Sequence, residues 1–135
     1  MSWMLLTALL AGPITPSVPV ATDSITIARL QYEGGGDWYA NPSSLSNLLS
    51  AIRERSGISV AREETNVRPL DPGLFDHPYL YMTGHGDVRF SNAERATIRE
   101  YLLAGGFLHA DDNYRLDKSF REGIAKIFPD AKLTE

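Results

Sequence analysis

Residues 24–32 read SITIARLQY, with apolar side chains frequent on both alternating faces, the pattern of a strand covered on two sides. Glycines and a proline interrupt that pattern in EGGGDWYANP, residues 33–42. Leu45, Leu48, Leu49 and Ile52 then fall at i, i+3, i+4 and i+7, one apolar stripe of a helix that Asn41–Pro42 opens and Gly57 closes. ISVAR (58–62) predicts a second strand and YLYMT (79–83) a third. Ser91 with Glu94 matches a capping box, which opens a helix through Ile98, Tyr101, Leu102 and Leu103 to a stop at Gly105–Gly106. FLHA (107–110) is the expected fourth strand. Phe120, Ile124, Ile127 and Phe128 share one face of a last helix that Pro129 ends, and Lys132–Leu133 is expected to begin a fifth strand.

Strands alternating with helices imply right-handed crossovers, hence an α/β three-layer sandwich with a parallel sheet in flavodoxin-like order. Ligands bind such sheets beyond the carboxyl ends of the strands, where the strand order reverses. That rule points to four loops: EGGGDWYAN, EETNVRP, GHGDVRF and DDNYRLD. It places Asp111 and Asp112 on the functional rim rather than at the base. No internal repeat is visible.

Composition narrows the function classes. A chain of 135 residues holds one ordinary domain, and 43% hydrophobic with 22% charged residues is a globular balance. The net charge of −4, with basic residues dispersed among acids, excludes a general nucleic-acid binder. Cysteine is absent, which rules out thiol catalysis, disulfides and thiolate metal sites. The uncharged run WMLLTALLAG (3–12) is too short for a membrane helix but suits the apolar core of a secretory signal. Residues 1–21 are therefore expected to be a signal peptide cleaved after Ala21, leaving a domain of residues 22–135 that is exported, periplasmic or secreted. The alternative is an apolar arm lying on the domain.

YEGGGDWYANP, LYMTGHGDVRFSNAE and YLLAGGFLHADDNYR, in that order, resemble the bacterial domain-of-unknown-function family 4159. The resemblance covers residues 25–133 and implies the fold of class I glutamine amidotransferases, again a flavodoxin-like doubly wound sheet. It implies no established activity. It also implies further strands beyond Glu135, so that this chain is expected to be a C-terminally shortened copy with a tendency to self-associate. Amidotransferases of that class use a cysteine on a sharp turn after a strand; the corresponding strand end here offers Asp111 and Asp112.

Three constellations carry chemistry. His85, Asp87, Asp111 and Asp112 are the ligand types of a divalent metal; their alternative is a hydrogen-bonded rim, with Asp accepting backbone N–H groups. His85 with Asp111 or Asp112 is an acid–base pair in outline, the basis for a hydrolase reading. Thr83 or Ser91 would have to supply the hydroxyl nucleophile, yet Ser91 already reads as a helix cap and neither sits in a nucleophile elbow. Gly35 and Gly36 in EGGGDWY lack the spacing and the lysine of a phosphate loop, and Asp37 would repel a phosphate. They instead let the chain turn and set Trp38 and Tyr39 over the strand ends, where aromatic faces hold a sugar or a peptide or else plug the sheet. With Thr83, Gly84, His85 and Asn113 these residues form the expected ligand-binding rim, for a small molecule, a sugar or a protein, with no resident cofactor required. His77 reads as a loop residue, and His109, alternating within a strand, as a satisfied core histidine. Asp111 and Asp112, adjacent on a strand, should point to opposite sides and do different jobs.

Overall fold

The structure is a computed structural model that describes residues 24–134; the expected leader, residues 1–21, lies outside them. Strand β1 (Ile27–Leu30) is buried at every position, as a strand sandwiched between helices must be. Helix α1 (Ser44–Arg55) follows, then β2 (Thr65–Val67), a 3-10 turn (Pro72–Asp76) and β3 (Tyr79–His85). Helix α2 (Asn92–Leu103), β4 (Phe107–Tyr114) and α3 (Leu116–Ile127) complete the order. The four strands form one sheet in the order β2-β1-β3-β4 with every pairing parallel. This is the flavodoxin-like α/β arrangement, and its order reverses between β1 and β3.

The two faces are covered differently. Leu45 and Leu49 of α1 pack on Ile27 and Tyr81 on one side. On the other side Ile98 and Tyr101 of α2, with Leu116 and Ile127 of α3, cover Leu30, Leu80 and Met82. Alternation along β3 divides its side chains between these two cores. The capping box of α2 forms as expected: Ser91 Oγ accepts from the Glu94 amide at 3.2 Å, and the Glu94 carboxylate accepts from the Ser91 amide at 2.7 Å. The helix ends where Gly106 runs against the Tyr101 ring, so closely that a Cβ there would collide with it.

Four expectations are corrected. Residues 58–62 do not form β2; they make a single bridge, Val60 to Ile25, held by the Ile25 amide on Ser59 O at 2.8 Å and the Ala61 amide on Ile25 O at 2.9 Å. The strand beside β1 is Thr65–Val67, within the segment expected to be a rim loop. A three-residue edge strand buries only Val67, so it carries no alternation to read. Strand β4 runs four residues past the expected end, through Asp111, Asp112 and Asn113 to Tyr114. Backbone pairing to Thr83 and Gly84 sustains it where no apolar side chain is needed. Residues 132–133 are not in a strand. His109 is not a core residue either: it is exposed on β4, its Nδ1 2.8 Å from the Tyr79 hydroxyl.

Candidate functional site

The carboxyl ends of β1, β3 and β4 are fastened to one another by backbone. Between the β1 and β3 loops, the Gly36 amide donates to Asp87 O at 3.0 Å, the Asp37 amide to His85 O at 3.2 Å and the Arg89 amide to Glu33 O at 2.6 Å. Gly86 in turn donates to Tyr114 O of β4 at 2.9 Å. Asn41 reaches β4 through its side chain, donating to Asn113 Oδ1 at 3.1 Å. The glycines permit this approach. A Cβ on Gly34 would lie 2.7 Å from Arg89 N and 2.9 Å from Asp87 O, both immovable backbone atoms. Gly84, at φ +148, has the Tyr32 hydroxyl on one side and the Asp37 backbone on the other. The run EGGGDWY is therefore a docking loop, and the Gly36 amide is already spent on protein.

At the centre lies Asp37 with His85. The Asp37 carboxylate accepts the His85 backbone amide through Oδ1 and lies 3.0 Å from His85 Nδ1 through Oδ2. The His85 amide is the largest influence holding the Asp37 carboxyl below its ordinary value of 3.8, and the imidazole adds to it. The imidazole is 56% exposed, and with Nδ1 turned to the carboxylate its Nε2 is the atom offered to a ligand. Beneath them the buried Tyr32 hydroxyl donates to Thr83 O at 2.9 Å, and burial, with Asp37 and Asp112 nearby, pushes that phenol up to about 12.

The two aspartates separate. Asp111 accepts the Tyr81 hydroxyl at 3.0 Å on the α1 side. Asp112 accepts the Leu116 amide at 2.9 Å and the Asp117 amide at 3.2 Å, capping α3 on the other side. The amides it takes belong to the helix, farther along the chain than the Asn113 and Tyr114 amides of a local turn. No hydrogen bond joins either aspartate to His85; the partner of that histidine is Asp37. Nor do His85, Asp87, Asp111 and Asp112 gather as metal ligands: among the described residues no group of three or more His, Asp or Glu is placed to hold an ion.

The remaining rim residues fall into two kinds. Trp38 is half-buried, packed on the core below, with Tyr39 edge-on at 5.6 Å; Tyr39 is the exposed member, 63% accessible. Thr83 is fully buried, its hydroxyl near the Tyr81 phenol without a hydrogen bond of good geometry. Gly35 is open, with nothing near the place of a Cβ, whereas Gly36 is closed by Tyr32 and Asp87.

One residue that shapes the rim escaped the motifs. Arg29, only 3% exposed in the middle of β1, donates to Ala40 O at 2.9 Å and Asn41 O at 3.3 Å. It also pairs with Glu64 at 3.8 Å and stacks 5.6 Å from the Tyr81 ring. It ties the end of the β1 loop down to the sheet. An arginine inside the apolar run ITIARL was the available signal, because a buried cation requires partners.

Among the described residues no helix is long and apolar enough to cross a membrane. The family model described as Domain of unknown function (DUF4159) matches residues 26–135. No curated protein matches the chain.

Proposed function

We propose that this chain, which belongs to the DUF4159 family, is a ligand-binding domain of an exported bacterial protein. It keeps an amidotransferase-like shape without the cysteine nucleophile. Its ligand is a small hydroxyl- or amide-bearing molecule, a sugar or a peptide segment. The observation that carries this reading is the preformed rim. The β1, β3 and β4 ends are already cross-bonded, so little ordering cost remains on binding. The rim carries the exposed Tyr39 ring, the His85 Nε2 and the Asn41–Asn113 amides, an apolar face together with donors and acceptors of both kinds. The nearby hydroxyls are committed elsewhere: Ser91 to its cap and Tyr32 to Thr83 O, while Thr83 is buried.

The test uses Trp38 as reporter. In the full chain carrying Trp3→Phe, Trp38 is the remaining tryptophan. Titration with oligosaccharides and with short peptides should shift its emission in a saturable way, and Tyr39→Ala with His85→Ala should abolish the shift while leaving unfolding midpoints near the parent. Emission that ignores every member of both panels would overturn the reading. Export rests on the apolar run of residues 3–12 and the small residues leading to Ala21. The mass of protein recovered from the periplasm or medium, starting at Thr22, tests it.

A second reading is favoured by one contact. Asp37 fixes the His85 ring by Nδ1, as a carboxylate does for a general base, which supports a hydrolase that activates water at Nε2. In that reading Asp37 replaces Asp111 and Asp112 as the partner. Ester or amide hydrolysis lost in both His85→Ala and Asp37→Asn, with binding retained, would select it over the first.

A further inference from the structure

Between the β3–α2 loop and the first turns of α3 lies a cavity of about 470 Å³, lined by Asp87, Arg89, Arg115, Lys118, Ser119 and Glu122. Several guanidinium groups elsewhere in the fold are occupied. Arg29, Arg95 and Arg99 each donate to a backbone carbonyl, those of Ala40, Phe90 and Ile127. Arg89, Arg115 and Lys118 differ. Among the described residues no side-chain hydrogen bond or ion pair engages any of them. Three exposed cations without a side-chain partner line this one cavity, in a chain whose net charge is −4.

We propose that this cavity is an anion subsite for a phosphate-type dianion carried by a small molecule. Two guanidinium forks bind a tetrahedral oxyanion through paired N–H groups, and a lysine adds a point charge. Asp87 and Glu122 lower the formal balance of the lining to +1 (three cations less two carboxylates). They therefore limit the affinity and provide a means of raising it. The volume is more than a bare phosphate needs and falls in the range of small-molecule pockets, roughly 300–1,000 Å³.

The frame that holds these cations is fixed. Ser119 Oγ accepts the Val88 amide at 3.0 Å and donates to Leu116 O at 3.0 Å, so it joins α3 to the loop and has no proton left for a ligand. The backbone of Arg89 is anchored to Glu33. Arg115 stands in the left-handed region, φ 71, immediately before α3. The helix N-terminus is not the attractor, because Asp112 already holds its first amides. This subsite shares with the rim proposed above only the backbone of Asp87 and Arg89, not a side chain offered to the rim's ligand, and rests on a separate observation.

The test is an amide NMR titration of the full chain with inorganic phosphate and with ribose 5-phosphate, against chloride and acetate at matched ionic strength. Saturable shifts are expected at Val88, Arg89, Lys118 and Ser119 for the two phosphates. Arg89→Gln and Arg115→Asn should each weaken binding about tenfold or more, whereas Glu122→Gln, on the solvent side of a helix, should tighten it. Asparagine is chosen at Arg115 because it tolerates a left-handed backbone. Shifts that follow ionic strength alone, an equal response to acetate, or affinity unchanged in Arg115→Asn and Glu122→Gln would overturn the proposal.

Discussion

Asp111 and Asp112 are neighbours in β4 yet serve opposite faces of the sheet, the first on the Tyr81 hydroxyl and the second on the Leu116 and Asp117 amides of α3. Their substitutions should therefore differ. Asp112→Ala removes a charged helix cap and is expected to cost about 1–2 kcal/mol. Asp111→Ala gives up one hydrogen bond at an exposed carboxylate and should cost less than about 1 kcal/mol. Urea unfolding of the two variants checks this, and equal losses would contradict the division of labour.

Gly84 is the tightest point under the rim. A Cβ there meets the Tyr32 hydroxyl and lies 3.0 Å from Asp37 O, at a φ of +148 that side-chain-bearing residues rarely adopt. Gly84→Ala should destabilise by about 2 kcal/mol or more, combining backbone strain with displacement of the β1 loop. Tyr32→Phe, which leaves Thr83 O without its donor, should cost about 1 kcal/mol alone. In the double variant the two losses should sum to less than their total, because removing the hydroxyl relieves the clash.

Acid should weaken the protein in two separate windows. Burial lowers the His77 pKa below its ordinary 6.5, so the folded state prefers the neutral ring. That contribution is complete above 6.5 and is lost as pH falls through the lower folded value. Asp37 is also lowered, from 3.8, chiefly by the His85 amide; its contribution is complete above 3.8 and is lost as pH falls through its folded value. Unfolding midpoints measured from about pH 8 down to about pH 3 should show both declines. His77→Gln should flatten the first decline and Asp37→Asn the second.

Strand β4 pairs only with β3 among the described residues, so its other side is an open edge. The Phe107 amide donates inward to Pro78 O at 3.0 Å, which turns the amides of Leu108, Ala110 and Asp112 outward. An antiparallel pairing with a second copy centred on Ala110 would set His109 opposite Asp111 of the other copy. Concentration-dependent association in sedimentation velocity is the expected outcome, reduced by Ala110→Pro, which removes one outward donor. A monomer at every concentration would refute it.

Much of this architecture was legible in the linear pattern. Helices α1, α2 and α3 announce themselves because one face of each must be apolar, and β1 and β3 because their side chains are buried. The Ser91–Glu94 cap is equally local, since both partners lie within one turn. The elements that escaped are those held by backbone pairing rather than by side chains. Edge strand β2 buries a single apolar residue, and the DDNY end of β4 buries none. What polarity recorded there was exposure, which a loop and a strand end share.

The candidate site divides along the same line. The sequence by itself determined that polar residues and glycines gather at the carboxyl ends of the strands, and that two adjacent strand aspartates must point apart, because side chains alternate every residue. Only the tertiary structure decided partners. His85 meets Asp37, 48 residues away along the chain, and not Asp111 or Asp112. Asn113 meets Asn41, and Arg29 reaches up from inside the sheet to hold the same loop. Such pairings depend on which strands become neighbours and on how closely glycine lets their loops approach. Those distances arise only after the cores on both faces have packed.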